Sequence, residues 1–264
     1  MSYRKIITVV NEHTVSTVTG RYAISLAVSC RAELVLYAAH EEGSNGTLLR
    51  HLESHLDQLH TDASKLGIPV TRITEIGDIG SLLPKRVLAE RADLVMFPLL
   101  PFKRYGAYLA RLTVHRLLRT IKSDLAIMRV ITMAKPYPGH ILMPLGGIVG
   151  DNGRRLMFIS GLAKSFNSQV TLYHLAAKGE ADGMPDDIIR FGKQLQHQQV
   201  KVLERHGEGD IGKAIVLEAV TRHSDLIVLG ASGRGMLHKL VFGNPASELM
   251  HQPPCNSILF RSGL

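Results

Sequence analysis

The segment Gly77-Asp-Ile-Gly80, with Asp93-Leu-Val-Met-Phe97 after it, returns as Gly209-Asp-Ile-Gly212, with Asp225-Leu-Ile-Val-Leu229 after it. Both parts are displaced by the same 132 residues, so the spacing between them is retained. Earlier stretches also match, with displacements of 135 and 136 residues: 4–10 with 139–145, and 34–37 with 170–173. Loops absorb such a small drift in spacing. The sequence therefore predicts an internal duplication.

Each copy alternates short apolar, β-branched runs with longer segments of helical spacing. Strands are predicted at 6–10, 33–38, 70–75, 93–97 and 125–130, and again at 141–145, 169–175, 200–205, 225–229 and 257–260. Helices are predicted at 18–29, 48–66, 154–166 and 186–199, with others after each third and fourth strand. Apolar strands separated by helices are typical of a parallel sheet covered on both faces. Each copy is therefore predicted to be a five-stranded, doubly wound α/β domain that binds ligands beyond the carboxyl ends of its strands.

The boundary between the copies is predicted near residue 135, where two prolines and a glycine follow within four residues. This gives domains at 1–134 and 137–264. The N-terminus lacks the apolar stretch of a signal peptide, and no apolar run approaches the ~18–20 residues of a membrane span. The two cysteines form no CxxC pair. We therefore expect a cytoplasmic protein without a membrane span.

A glycine-rich stretch follows the fourth strand of the second copy: Gly230-Ala-Ser-Gly233-Arg-Gly-Met-Leu-His-Lys-Leu-Val-Phe-Gly243-Asn244-Pro245. Gly230 and Gly233 allow a turn with positive φ and close approach of a ligand to the backbone. Gly243 and Asn244 lead into a predicted helix, whose N-terminus favours an anion. The pattern predicts a phosphate-binding loop, and an ordinary strand–turn–helix connection is the alternative. Neither GxxxxGK[ST] nor GxGxxG is present.

The glycine pattern, with 225–229 before it and Pro254-Cys255-x-x-Ile-Leu-Phe260 after it, resembles the universal stress proteins. The resemblance extends over essentially the whole chain as two tandem domains. It implies a Rossmann-like sheet in each domain and, in one subclass, ATP held by the glycine loop, with or without Mg²⁺. Carried over to this chain, the site comprises Gly230, Ala231, Gly233, Arg234, Gly243 and Asn244, with Pro144, Leu145 and Leu229 as an apolar wall for the base.

The same resemblance implies that domains pair through their fifth strands. In a tandem chain this pairing would join 125–130 to 257–260 and make an internal pseudo-dimer, with a homodimer as a further possibility. The matching functional hypothesis is a stress-response protein that senses or regulates through a bound adenine nucleotide.

Three positions depart from the family pattern of the nucleotide binders. Asn244 replaces the usual Ser or Thr, and Pro245 has no N–H to donate. Gly146 stands at the end of the first strand, where the family usually has an Asp near the adenosine. Loss of one such contact costs about 1–3 kcal/mol, or roughly tenfold or more in affinity. Binding of ATP, ADP or AMP could thus be retuned or abolished, and both outcomes stay open.

The first copy lacks the glycine loop. Pro98, Pro101 and Arg111 stand at the positions of Gly230, Gly233 and Gly243. Proline has no backbone N–H and a restricted φ, so no cradle of free N–H groups is expected. We predict that the first domain does not bind a nucleotide in the family manner.

Basic residues are concentrated in the same region of the first copy. From 103 to 129 there are seven Lys and Arg residues against one acidic residue, Asp124. The spacing of the apolar residues predicts a helix over 114–122 with a buried face, and Arg116, Arg119 and Lys122 outside it. A solvated helix face and an anionic partner are both compatible with this pattern. The anionic partner could be nucleic acid, an acidic protein surface or lipid headgroups, and nucleic acid ranks low because no RNA-binding motif or aromatic ladder is present.

No catalytic or metal-binding residues are predicted. His51 and His55 have metal-compatible spacing, but no third ligand lies nearby in the sequence. Asp78 and Asp210 precede helices and suit N-caps. Without GxSxG, HExxH or paired carboxylates, dedicated catalysis has no support, although slow ATP hydrolysis beside Arg234 or Lys239 stays open. The alternative function is a nucleotide-free interaction module that recruits a protein or anionic partner.

Overall fold

The computed structural model describes residues 2–99, 106–133, 137–146, 153–176, 183–230 and 253–263. The chain divides into two compact units, Met1–Met133 together with Ser262–Leu264, and Ala134–Arg261. In the first unit the elements run β1 (Lys5–Val9), α1 (Val15–Cys30), β2 (Glu33–His40), α2 (Gly46–Lys65), β3 (Val70–Ile76), α3 (Ile79–Glu90), β4 (Leu94–Leu99), α4 (Gly106–Thr120) and β5 (Asp124–Arg129).

The second unit repeats this order in the residues that the structure describes. Its elements run β6 (His140–Leu145), α5 (Gly153–Phe166), β7 (Gln169–Ala176), α6 (Asp186–His197), β8 (Lys201–Glu208), α7 (Ile211–Thr221), β9 (Leu226–Gly230) and β10 (Asn256–Arg261). The predicted strands are confirmed, with ends that differ by up to three residues. The helix predicted after Gly243 lies outside the described residues.

The strands of each unit pair in parallel. The order is β3-β2-β1-β4-β5 in the first unit and β8-β7-β6-β9-β10 in the second. In each sheet the strand order changes direction between the first and fourth strands, β1 and β4 or β6 and β9. This is the switch point beyond which open α/β sheets bind ligands. The predicted α/β class with two doubly wound, Rossmann-like domains is confirmed, whereas the internal pseudo-dimer stays a prediction.

The sheet centres are buried, but one edge of each sheet is not. Strands β5 and β10 are buried along their whole length, whereas β3 and β8 alternate between exposed and half-buried residues. The expectation of strands covered on both faces is therefore wrong for β3 and β8. Both are third strands at the outer end of the strand order, where one side has no neighbouring strand in the unit.

An aspartate before the fourth strand holds the start of the first strand in each unit. One carboxylate oxygen of Asp93 accepts hydrogen bonds from the backbone N–H groups of Arg4 and Lys5, at 2.8 and 3.1 Å. The equivalent oxygen of Asp225 accepts from Gly139 and His140, at 2.9 and 3.0 Å. The same carboxylate–backbone contact thus explains why an Asp recurs at the 132-residue displacement.

Candidate functional site

Four of the predicted site residues lie together at the switch point of the second sheet. Leu229 and Gly230 end β9, while Pro144 and Leu145 end β6, and these two strands are neighbours. Leu145 and Leu229 are buried, and Pro144 is half-buried. Five further predicted residues lie outside the described residues: Ala231, Gly233, Arg234, Gly243 and Asn244.

Gly230 has a steric role that the sequence did not reveal. It is the last residue of β9 and does not adopt positive φ, so the expected left-handed turn at this position is wrong. A Cβ built on Gly230 would lie 3.1 Å from Nη2 and 3.2 Å from Cζ of Arg155. Any larger residue at 230 would push on this guanidinium. A side chain here would therefore require the guanidinium to shift by a few tenths of an ångström.

Arg155 is the functional candidate that sequence reasoning missed. It lies in the first turn of α5 and is only 7% exposed. Burial lowers the pKa of its guanidinium, because the charged form loses solvation. A buried arginine is uncommon unless its surroundings supply partners. The signal in the sequence was the pair Arg154-Arg155 at the start of a helix that faces the carboxyl edge of a parallel sheet.

The neighbouring strand end is partly open. The ring Nδ1 of the buried His174, on β7, is 3.2 Å from the backbone oxygen of Leu145, which links the carboxyl ends of β6 and β7. Gly146 follows Leu145, is exposed, and would meet no atom within 4 Å if it carried a Cβ. The position where the family usually has Asp therefore has room for a side chain.

The first domain has a different surface at its switch point. β4 continues through Pro98, which pairs with Met128 of β5, so the position of Gly230 is filled by a strand proline. A cavity of about 180 Å³ lies at the ends of β1 and β4. Asn11 is the first-domain equivalent of Gly146. The strand register shows this, because Val9 pairs with Tyr37 as Pro144 pairs with Tyr173.

The basic helix of the first domain borders a surface groove of about 690 Å³. The predicted apolar face is confirmed, because Val114, Leu117, Leu118 and Ile121 are buried. Arg116, Arg119 and Lys122 are exposed, as expected. The guanidinium of Arg116 donates to Asp78 Oδ2 at 2.9 Å. Asp78 also accepts from the Ser81 hydroxyl, whereas Asp210 accepts from the Lys213 backbone N–H as an N-cap should.

A half-buried ion pair at the β3 edge distinguishes the first domain. Glu75 on β3 accepts hydrogen bonds from the Tyr37 hydroxyl, at 2.6 Å, and from the guanidinium of Arg86. The Arg86 and Tyr37 hydrogen bonds lower the pKa of Glu75. Burial and the Glu75 hydrogen bond raise the pKa of Tyr37. In the second domain the position of Glu75 is Gly207, and Arg205 instead pairs with Glu218 at 2.8 Å.

The histidine pair does not form a metal centre in the part of the chain that the structure describes. His55 Nδ1 lies 2.9 Å from the backbone oxygen of Asn11. No group of three or more His, Cys, Asp or Glu residues with metal-binding geometry occurs among the described residues. In the same residues, no helix is both long enough and apolar enough to cross a membrane.

Comparison with known proteins places this geometry in a family. Residues 140–261 match the model of the universal stress protein family. No curated protein sequence matches the chain. A crystal structure of a universal stress protein from Archaeoglobus fulgidus DSM 4304 is similar, with a TM-score of 0.72 and 13% identity over 98% of this chain and 96% of that one.

The cytoplasmic domain of a prokaryotic cation chloride cotransporter is also similar, with a TM-score of 0.66 and 11% identity over 99% of this chain and 96% of that one. At such identities the structural likeness shows a common fold. The family match carries the assignment further, because it covers β6 to β10 and the candidate site between them. The second domain of this chain therefore belongs to the universal stress protein family, within a two-domain chain that shares the family fold over nearly its full length.

Proposed function

We propose that the second domain binds an adenine nucleotide, ATP foremost, and that the chain acts as a stress-response sensor or regulator. The observation that carries this proposal is the position of Gly230. It ends β9 at the switch point, inside the segment that matches the family, and it begins the glycine pattern Gly230-x2-Gly233-x9-Gly243. A phosphate-binding loop needs its backbone at the carboxyl edge of the sheet.

Arg155 supports the proposal as a positioning residue. Its guanidinium lies 3.1 Å from the ideal Cβ position of Gly230, so it borders the point from which the glycine loop leaves the sheet. A loop that must present N–H groups to a phosphate gains affinity when its anchor is held in place beforehand. The apolar ends of β6 and β9, at Leu145 and Leu229, provide a wall suited to a flat base.

The contacts to the sugar and base are weaker in this chain than in the family pattern. Gly146 offers no carboxylate at the end of β6. ADP and AMP keep the base and sugar of ATP, so comparison of the three nucleotides separates phosphate contacts from adenosine contacts. If ATP binds much more tightly than ADP and AMP, most of the binding free energy comes from contacts between the phosphates and the glycine loop. The same comparison applies in the presence and in the absence of Mg²⁺.

The deciding experiment is isothermal titration of the nucleotide-stripped full chain with ATP, in the presence of Mg²⁺ and then of EDTA. Gly233→Val is the test variant, and Gly46→Val, at the start of α2 in the first domain, is the matched control, because a Cβ at 46 meets no described atom within 4 Å. One site per chain, lost in Gly233→Val and retained in the control, is the expected result. Absence of heat and of thermal stabilisation at millimolar ATP would refute the proposal. Phosphate release assayed on the same samples tests for hydrolysis.

The alternative function, a protein-interaction module, rests on the groove beside α4. There the exposed Leu112, 45% accessible, lies near the cationic Arg116 and Arg119. An acidic protein segment with one apolar side chain is complementary to this combination. A fluorescent peptide of Glu, Asp and Leu residues tests it, with Arg119→Glu as the variant and Arg190→Glu, on α6 of the other domain, as the control. Salt-sensitive binding that only Arg119→Glu abolishes would favour the alternative.

A further inference from the structure

We infer that the first domain binds a small neutral, mainly apolar molecule in the cavity at the ends of β1 and β4. The site is separate from the proposed nucleotide site, and its ligand class is different. It occupies the switch point of the first sheet, the region in which open α/β sheets bind ligands.

The lining of the cavity determines the ligand class. Among the described residues that line it, none carries a charge. Val9, Phe97, Leu99 and Val114 supply apolar walls from β1, β4 and α4. Pro98 stands where a phosphate loop would begin, and it has no N–H to offer. Against these walls a phosphate would lose its hydration, whereas an apolar molecule gains by leaving water.

Two polar side chains, those of Asn11 and Thr113, also line the cavity, and Asn11 gives the site direction. Asn11 lines the cavity, and its side-chain oxygen accepts the backbone N–H of His13 at 3.0 Å. In the described part of the chain no hydrogen bond uses its Nδ2 group, which leaves a donor for a ligand. A single carbonyl or ether oxygen on the ligand would satisfy this donor.

The size of the cavity limits the ligand to about one aromatic ring with a small substituent. Its volume is about 180 Å³. An apolar cavity of about 150 Å³ is large enough for benzene, and most drug-sized ligands need at least about 300 Å³. Acetophenone, a ring with one carbonyl group, fits these requirements. Ethylbenzene has nearly the same shape without the acceptor, so it is the matched probe.

Comparison with the second domain suggests a variant that fills the cavity and a control for that variant. Ala39, on β2, lines the cavity and pairs with Glu75, while Leu175 pairs with Gly207 in the equivalent register. The second domain thus has Leu at the position equivalent to Ala39. Ala39→Leu should narrow the cavity without disturbing the sheet, and Ala39→Phe should fill it. Leu175→Phe places the same bulk in the other domain.

Saturation-transfer NMR with the full chain tests the inference. Both probes should bind saturably, with acetophenone about fivefold tighter because of one added hydrogen bond. Ala39→Leu should weaken binding and Ala39→Phe should abolish it, with thermal unfolding close to that of the wild type. Leu175→Phe and saturating Mg-ATP should leave both probes bound. Absence of saturable binding, binding that survives Ala39→Phe, or displacement of the probes by ATP would overturn the inference.

Discussion

The guanidinium of Arg155 occupies the space in which a side chain at Gly230 would have to begin, with Nη2 3.1 Å from the ideal Cβ position. The two residues come from different elements, α5 and β9, and 75 positions separate them in the sequence. Their contact joins the first helix of the second domain to the end of its fourth strand. A side chain at 230 is therefore possible only if the guanidinium moves by a few tenths of an ångström.

Gly230→Ala should weaken ATP binding about tenfold, because the added Cβ displaces Arg155 and moves the start of the glycine loop. Gly46→Ala, at the start of α2 in the first domain, should bind ATP as the wild type does. Isothermal titration of both variants provides the comparison, and circular dichroism checks that each is folded. Equal affinities in the two variants would mean that the Gly230–Arg155 contact does not position the loop.

Gly146→Asp should increase ATP affinity about tenfold. The position has space for a side chain, and a carboxylate at this strand end restores the acceptor that the family pattern has near the adenosine. The gain should also appear with AMP, since it concerns the adenosine part of the ligand. Gly146→Asn, which cannot supply the charge, should give a smaller gain. An unchanged affinity for both nucleotides would show that the base does not reach the end of β6.

In Glu75→Gln the free energy of unfolding should fall less between pH 7 and pH 3 than in the wild type. Hydrogen bonds from Arg86 and Tyr37 lower the folded-state pKa of Glu75, so its contribution is complete above the unfolded-state pKa of about 4.3 and is lost as pH falls through the lower folded value. Urea unfolding at pH 7 and pH 3 measures this difference. Glu208→Gln, an exposed carboxylate on β8, is the control and should retain the wild-type profile.

The two cysteines should differ in reactivity. Burial, aided by the nearby Asp225 carboxylate, raises the pKa of Cys255 to about 12, so little thiolate forms at pH 8. Cys30 ends α1 and is partly exposed. Ellman's reagent should therefore titrate one thiol per native chain and two in guanidinium chloride. Cys30→Ser should remove the fast reaction, and rapid labelling of that variant would contradict the assigned burial.

Repeat and periodicity were enough to predict the fold, because each buried strand is a local run of mainly apolar residues. The strand ends were harder to predict. β4 passes through Pro98, a residue expected to end it, because the pairing with β5 continues to Arg129. The exposed pattern of β3 and β8 depends on their place in the strand order, which individual runs do not encode.

The candidate site was predicted only in part for a similar reason. Glycines are easily recognised in a sequence, so the placement of Gly230 after the fourth strand could be predicted. Its closeness to Arg155 could not. The local sequence around Arg155 does not indicate that this side chain is buried. Its burial arises only when the end of β9 arrives from a distant part of the chain. Local patterns cannot report contacts of this kind.

The paired backbone contacts of Asp93 and Asp225 have a consequence for how the protein is made. Asp93 secures the start of β1 across 89 residues and Asp225 the start of β6 across 86. During synthesis this contact at the start of each first strand cannot form until the residues before the fourth strand have left the ribosome. Each domain should acquire its native sheet late and in one step, and the first should be able to complete this step while the second is still being translated.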